Sequence, residues 1–537
     1  MLKASVKLNY NYGYKWFEKD NIKVKGWVID DLGISFKDEA LIDYFIDVRT
    51  IGELKALLRR TTGHFAVIII LDECLIAVAD RGRSFPLYFR NDGGNVVISD
   101  SGFSLIDNEI LGIDYDPFSF QEYLAAGHVT QNKTLLKKVY QLGAGEIATI
   151  DYDRIDIIPY FEFLPDCPTS SSFERSVERF VEILDNCYKN LINALNGRTV
   201  VIPLSGGYDS RSIASMFKRM GYQNVICYSF GQDGSPEMLT SKRVTAALGY
   251  RWLFIETTPE MVKSFAESDD FLRYVDFAAN VSSFYIIQDF FAVKKMRKEG
   301  LVPDDSVFMP GHSGDTLGGS NFLELFSGYE NKDEMINKLI KHRYDLNSVS
   351  DDFLMLVQKN LETQFDSNYH PSLWFDYWCM KEWNPKMFAN GVRVYEFFGY
   401  TYWLPLWSKD LLYFFANQPV EFRLGKELYE FTLETQIFEP LGVNFSPNRR
   451  KHFSHKVPLL QRMKNIVKKI LPKRFIYSSL TNDYINSRFY TRELKDSMRS
   501  RGEKINSIGT NSIKAQWYVR YLEHKGLDRK NIKYKNN

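Results

Sequence analysis

Two short stretches bring together residue types suited to holding a polyphosphate. In "VVIPLSGGYDSRS", Val200 to Ser212, an apolar run ends in Ser205-Gly206-Gly207, with Asp209 and Ser210 close behind. A side chain at either glycine would obstruct backbone N–H groups from converging on an anion, and a helix starting here adds its positive dipole end. Phosphate is the natural guest of such a turn. The Walker spacing G-x-x-x-x-G-K-[ST] is absent, and no Lys directly follows the glycines. The competing reading is a tight turn without a ligand. The second stretch, "VFMPGHSGDTLGGS" from Val307 to Ser320, again reads as a strand running into a Gly-rich turn and presents Asp315. Its own alternative is a turn aspartate between glycines.

The surrounding elements must place these turns. After "LPDCPTSSS", a Pro/Ser/Asp-rich linker, the pattern predicts a helix from Phe173 to Leu195, a strand from Thr199 to Leu204 and a helix from Ser210 to Met220. Strand "NVICYSF", helix "EMLTSKRVTAALG" and strand "RWLFIET" follow. Such alternation specifies a parallel sheet with helices on its faces, and ligands on such sheets sit beyond the carboxyl ends of the strands. Both turns are at predicted strand ends. Ahead of the linker, the runs "IKVKGWVI", "GHFAVIII", "LIAVAD", "NVVISD", "GEIATID" and "DIIPYFEF", with the helical intervals "FKDEALIDYFI" and "IGELKALLRR", predict an α+β domain. Beyond about residue 320 the pattern is aromatic-rich and mostly helical, densest at "FFGYTYWLPLW". Internal repeats and low-complexity tracts are absent.

A chain of 537 residues exceeds one ordinary core and predicts two or three domains. With 45% hydrophobic residues, 40 Phe and 32 Tyr, a large packed core is available. The five cysteines, Cys74, Cys167, Cys187, Cys227 and Cys379, form no CxxC pair, so neither a zinc site nor a disulfide framework is indicated, and buried thiols in a reducing compartment are expected. No run approaches the ~18 apolar residues of a bilayer span, and the N-terminus has no secretory h-region. A cytoplasmic protein without a transmembrane segment is the expectation. The net charge of +1 is unevenly spread: Lys456 to Asn537 carries 20 Lys and Arg against 6 Asp and Glu, leaving 48 against 61 elsewhere. This basic tail is either a solvated surface or a contact for an anionic partner. No nucleic-acid reading motif is present, so no nucleic-acid partner is expected.

The short form S-G-G-x-D-S resembles the pyrophosphate loop of N-type ATP pyrophosphatases, which cleave ATP between its α and β phosphates. The resemblance implies that Ser205, Gly206, Gly207 and Ser210 hold pyrophosphate and that Asp209 binds Mg²⁺, a hard cation needing oxygen ligands. Leu204, Ser229 and Gly311 are counted with the nucleotide-binding positions. The second stretch is similar to the strand-SGxGxDExxGG segment of asparagine synthetases, in which the Asp is the second magnesium ligand; Asp315 matches it, while Thr316 replaces the family's Glu. "NRRKHF", Asn448 to Phe453, resembles the family's R-x-K-x-x-F segment, shortened by one residue. This puts the cation that stabilises the tetrahedral intermediate on Lys451, or on Arg450 if the alignment is anchored at Phe453. "YWLPLWSKDLL" resembles the RVPFLD segment in diverged form, and Glu396 just before it is a candidate for lining the acceptor pocket.

The first domain is similar to the glutaminase domain of the same family through Gly63, Phe65, Ala66, Asp80, Arg81, Pro86, Leu87 and Tyr88. A class II glutaminase needs Cys directly after the initiator Met, as thiol nucleophile and α-amine base together. This sequence reads Met1-Leu2-Lys3, and Lys25-Gly26-Trp27 stands where the glutamine-binding Asn-Gly-Glu triplet is expected. The same loss occurs in β-lactam synthetases and lasso-peptide cyclases. The resemblance thus implies an α/β protein in three parts. Residues 1–165 form a degenerate glutaminase-like (Ntn-type) α+β sandwich and residues 173–455 an adenine-nucleotide α-hydrolase-like parallel-sheet synthetase with a helical C-terminal part; residues 456–537 form a basic helical extension. It implies an ATP- and Mg²⁺-dependent ligase that adenylates a carboxylate and passes it to ammonia, an amine or nitrogen from a separate glutaminase. The acceptor is aspartate by family default, or a uronic acid of surface-polysaccharide synthesis stacked on Tyr402, Trp403, Trp407, Phe397 or Phe398, whose plainer role is core packing. Two other readings remain: a nucleotide-binding scaffold without catalysis, and adenylation with sulfur transfer, for which only Cys227 belongs to the predicted sheet.

Overall fold

The computed structural model describes residues 3–106, 115–322, 331–445, 483–507 and 509–525. Up to about residue 160 the chain builds two sheets. The larger has seven strands in the spatial order Ile155–Pro159, Glu146–Ile150, Leu75–Ala79, Thr62–Ile70, Ile22–Ile29 and Trp16–Lys19, with Ser35–Lys37 also paired to Ile22–Ile29. Every pairing in it is antiparallel. Strand alternation splits its apolar residues between two faces. Val24, Val28, Phe65, Val67 and Val78 pack with Leu41, Phe45, Leu54 and Leu58 of the helices Ala40–Phe45 and Ile51–Arg60. Trp27, Ala66, Ile68, Ala77 and Ala79 belong to the opposite core, together with Phe89, Val96 and Ile98 of a four-stranded sheet. The helix Ile51–Arg60 starts where its sequence says it should: Thr50 accepts from the Glu53 N–H while the Glu53 carboxylate accepts from the Thr50 N–H.

Asp80 and Arg81, two of the residues that carry the sequence resemblance of this part of the chain, hold the unit together. Asp80 accepts from the N–H groups of Phe65, Gly82 and Ser84. Arg81 donates to the carbonyls of Leu58, Arg59 and Thr61, capping the helix Ile51–Arg60 at its negative end. Residues 161–172 have no regular secondary structure, and Cys167 and Thr169 of this stretch are tied through their N–H groups to Asn417.

The second unit is a five-stranded sheet, parallel throughout, in the order Arg251–Glu256, Val225–Gly231, Val200–Pro203, Val307–Phe308 and Thr401–Tyr402. The chain moves outward from Val200–Pro203 through the first three strands, then crosses to its other side for the remaining two. Strand order therefore reverses between Val200–Pro203 and Val307–Phe308, which lie side by side with Val200 opposite Val307. Loops leaving the carboxyl ends of such neighbours diverge and open a crevice, the usual ligand position of an open α/β sheet. The helix Phe173–Leu195 matches its predicted bounds, with the Ser172 side chain capping its start and Asn196 in the left-handed region at its end.

Helices dominate the remainder. Those at Lys332–Arg343, Asp351–Gln364 and Pro371–Trp378 form a satellite core around Leu339, Phe353, Trp374 and Trp378. The helices Ser487–Ser500 and Thr510–His524 are built into the main core, where Trp517 lies 5.4 Å from Phe271 and the Tyr518 hydroxyl accepts from the Val281 N–H. Among the described residues, no helix is long and apolar enough to cross a membrane.

Candidate functional site

The first loop leaves the sheet at Leu204, whose N–H donates to Tyr228 O and whose carbonyl accepts from the Ser229 and Ser241 hydroxyls at 2.8 and 2.7 Å. Leu204 and Ser229, both predicted to bind nucleotide, thus use these groups to fix the loop's root. Ser205 is exposed, and its N–H donates to Ser210 Oγ at 3.0 Å, closing the turn onto the helix Tyr208–Arg219. Gly206 and Gly207 avoid the left-handed region. A Cβ at Gly206 would meet nothing nearer than 3.6 Å, and one at Gly207 only the Ser205 hydroxyl at 3.2 Å. The fold itself therefore requires glycine at neither position. The Gly207 N–H donates to Ser205 Oγ at 3.1 Å, so the loop closes on its own hydroxyls, and what the missing side chains leave clear is the outside approach to it at Gly206 and the adjoining helix start, which suits a pyrophosphate.

The second loop follows Val307–Phe308 and enters the short helix Gly314–Gly318. It meets the first loop at backbone distance: a Cβ on Gly311 would lie 2.6 Å from the Ser210 nitrogen and 3.0 Å from the Asp209 carbonyl carbon. This approach brings the two predicted metal carboxylates together. Asp209 Oδ2 accepts from the Asp315 N–H at 3.0 Å, and Asp209 Oδ1 accepts from the Tyr429 hydroxyl at 2.8 Å. Enclosure by protein, then the neighbouring Asp315 charge, pushes the Asp209 carboxyl up to about 7. A carboxylate that feels the charge of a second favours a cation beside it. Among the described residues no three His, Cys, Asp or Glu side chains converge as a ready-made metal cage. The pair suits Mg²⁺, which takes one or two protein carboxylates and fills its octahedron with water and substrate phosphate oxygens.

The first turn of the helix Tyr208–Arg219 is gripped from the C-terminal side. The Tyr208 hydroxyl donates to Glu434, and Arg211 donates to Gly206 O at 2.6 Å and to Val443 O at 3.3 Å. Sequence reasoning missed Tyr429, Glu434 and Arg211. No local signal marks the first two, because each meets the loop only through a fold contact more than 200 residues away in the chain.

The remaining predicted positions divide. Ser205, Gly206, Gly207, Asp209, Ser210, Gly311 and Asp315 meet at the crevice. Thr316, in place of the family's Glu, is buried. Glu396 corrects its expectation as a pocket-lining group: it is fully buried, with Lys25 Nζ at 2.6 Å and Arg393 Nε at 3.9 Å. An isolated carboxylate at that depth would be costly, and the Lys25 ammonium from the first unit balances its charge. Lys451 and Arg450 lie outside the described residues. Tyr402, Trp403 and Trp407 are buried in the core, with Trp403 4.3 Å from Trp27, so these three offer no open platform for a sugar ring. All five cysteines are free thiols; burial pushes Cys227 up to about 12, which suits packing and not nucleophilic sulfur chemistry.

A family model described as asparagine synthase matches residues 193–503, more than half of the chain and inclusive of both loops. Among solved structures, the chain is similar to the NH₃-dependent NAD synthetase of Campylobacter jejuni, at 16% identity over 37% of this chain and 90% of that one, with a TM-score of 0.18. It is similar to the NMN synthetase of Francisella tularensis, at 14% identity over 39% and 93%, TM-score 0.21. It is also similar to the glutamine phosphoribosylpyrophosphate amidotransferase of B. subtilis, at 9% identity over 66% and 76%, TM-score 0.19. Superpositions this loose carry no weight beside the family match. No curated protein matches the sequence. The chain belongs to the asparagine synthase family, a family of ATP-dependent amide-forming ligases.

Proposed function

We propose that this ligase adenylates a carboxylic acid and passes the acyl group to ammonia or an amine, without hydrolysing glutamine itself. A carboxylate oxygen attacks the α-phosphorus of ATP, the bond between the α-phosphorus and the bridging oxygen breaks, and pyrophosphate leaves. The nitrogen lone pair then attacks the acyl carbon, AMP departs with its oxygen, and the nitrogen loses a proton as the amide forms. Activation is needed because a carboxylate is a poor electrophile with a poor leaving group. Magnesium, when bound, neutralises the pyrophosphate charge. Asp209 and Asp315 would hold it, and the hydroxyls of Ser205 and Ser210 with the Gly206 backbone would orient the phosphates.

One observation carries this reading: at the strand-order reversal the Asp209 carboxylate accepts from the Asp315 N–H and feels the Asp315 charge, beside a turn whose glycines leave the outside approach to Gly206 clear. Glutamine hydrolysis is left out because the segment matching the glutamine-binding triplet carries Lys25, whose ammonium is committed to Glu396.

AMP and pyrophosphate release should be measured with Mg-ATP and ammonium across a panel of L-aspartate, nucleotide-linked uronic acids and no acceptor. Release dependent on one acid, lost in Asp209→Asn, is the expected result. Undiminished turnover in Asp209→Asn would sink the assignment. Glutamate production with glutamine as nitrogen source would overturn the part concerning the first unit.

A further inference from the structure

Asp209 has a fixed orientation before any ligand arrives, and the group that fixes it comes from a helix remote in sequence. Tyr429, on the helix Glu427–Thr432, is buried, and its hydroxyl donates to Asp209 Oδ1 at 2.8 Å while the Asp315 N–H donates to Oδ2. Each carboxylate oxygen therefore has one donor in place and retains lone-pair capacity for a further partner.

The path of this ring is prepared by the second loop. Gly314 and Gly318, one helical turn apart, both face it. A Cβ on Gly314 would strike the Tyr429 hydroxyl, and one on Gly318 would lie 2.7 Å from Tyr429 Cβ and 2.9 Å from its Cγ. Neither glycine has positive φ, so the reason for glycine is space. Behind the ring, Phe180 lies 6.0 Å away, stacked, and Phe415 6.1 Å away, edge-on. The slot thus leaves the hydroxyl aimed at Asp209.

We propose that Tyr429 is a positioning residue for the metal-binding carboxylate of Asp209, locked in place by the Gly314–Gly318 slot. The inference rests on the reading of Asp209 and Asp315 as the magnesium pair. Donors to metal-bound carboxylates set ligand orientation, and their removal typically costs about 10- to 100-fold in metal affinity.

The test is Mn²⁺ binding, followed by electron paramagnetic resonance on the full-length protein with α,β-methylene-ATP, which cannot be cleaved at the α–β position. Tyr429→Phe keeps the ring and removes only the hydroxyl. It should weaken Mn²⁺ binding about tenfold or more while leaving the thermal midpoint within a few degrees of wild type. Gly318→Ala, which presses on the ring without approaching Asp209, should weaken binding likewise and add little on top of Tyr429→Phe. Mn²⁺ affinity of Tyr429→Phe within twofold of wild type, in an assay where Asp209→Asn abolishes binding, overturns the role of Tyr429 alone. Unchanged binding in Asp209→Asn overturns the metal-pair reading beneath it.

Discussion

Gly311→Ala isolates how closely the two loops must approach. Gly311 lies outside the left-handed region, so alanine brings no conformational penalty there. The penalty is contact: the new methyl would lie 2.6 Å from the Ser210 nitrogen and 3.0 Å from Asp209 Cβ and its carbonyl carbon, where ordinary contact begins at 3.4 Å. Most of the opposing atoms are backbone, so no rotamer change relieves the overlap, and the loops must separate by about 0.8 Å in a close-packed interior. Misplacing catalytic groups by about 1 Å costs on the order of 10²-fold in rate, equivalent to about 2.7 kcal/mol of barrier. Strain that the structure does not relax should appear as about 1–3 kcal/mol of lost stability. ATP–pyrophosphate exchange at saturating Mg-ATP and acceptor reads the first effect, and the thermal midpoint reads the second. Gly52→Ala is the control, because its Cβ would meet nothing nearer than 3.8 Å, in the first turn of a helix. Exchange by Gly311→Ala within threefold of wild type, with an unshifted midpoint, would refute the claim that the loops must touch at this position.

Two further predictions concern buried charges. Burial lowers Lys514 from 10.5 to about 7, with Asn511 Oδ1 at 3.3 Å and the rings of Phe284 and Tyr285 at 4.1 and 5.6 Å beside it. The unfolded chain then binds more protons between those values, so the cost of the cation is complete below about pH 7 and fades toward pH 10.5, with a ceiling of about 5 kcal/mol. Lys514→Met should therefore unfold at a higher temperature than wild type at pH 6, by a margin that shrinks at pH 9; a margin independent of pH would refute it. Glu396→Gln should destabilise by up to about 3 kcal/mol because it leaves the buried Lys25 ammonium with only the more distant Asp100 carboxylate, 3.9 Å away, whereas Lys25→Met with Glu396→Leu should recover most of the loss. Denaturant midpoints for the two variants decide this, and a double variant no better than the single one contradicts the pairing.

The parts of the fold legible in the sequence are those fixed by neighbours in the chain. Ile22–Ile29, Ile51–Arg60 and Phe173–Leu195 have the expected bounds because caps and periodicity are local signals. The crevice was legible for a similar reason: Ser205-Gly206-Gly207 and Asp315 each follow a strand, and a parallel sheet gathers its strand ends on one edge. Tyr429 was not, since nothing near it in sequence distinguishes a ring in a glycine slot from any other buried tyrosine. Pro385, in a segment patterned as helix, falls within the wide-turned stretch Cys379–Phe388, and such a local widening has no period that would reveal it beforehand.

Lys25 shows where alternation itself misleads. "IKVKGW" reads as apolar residues inward and lysines outward, yet Lys25 is as buried as its neighbour Val24, because the face that alternation assigns to solvent is covered by the second unit. That cover is specific. Lys25 meets Glu396, the Tyr14 hydroxyl donates to Tyr402 O at 2.6 Å, and the Leu404 N–H donates to His64 Nε2 at 2.9 Å. Three of these partners, Glu396, Tyr402 and Leu404, flank or belong to the last strand of the synthetase sheet, Thr401–Tyr402, which pairs with the strand leading to Asp315. Removing the first unit would strip the nearer of two charge partners from a buried carboxylate and uncover that edge strand. The unit thus has a structural reason to be present whether or not it handles glutamine, and Lys25, which a search for a glutaminase site counts as a loss, carries part of that reason.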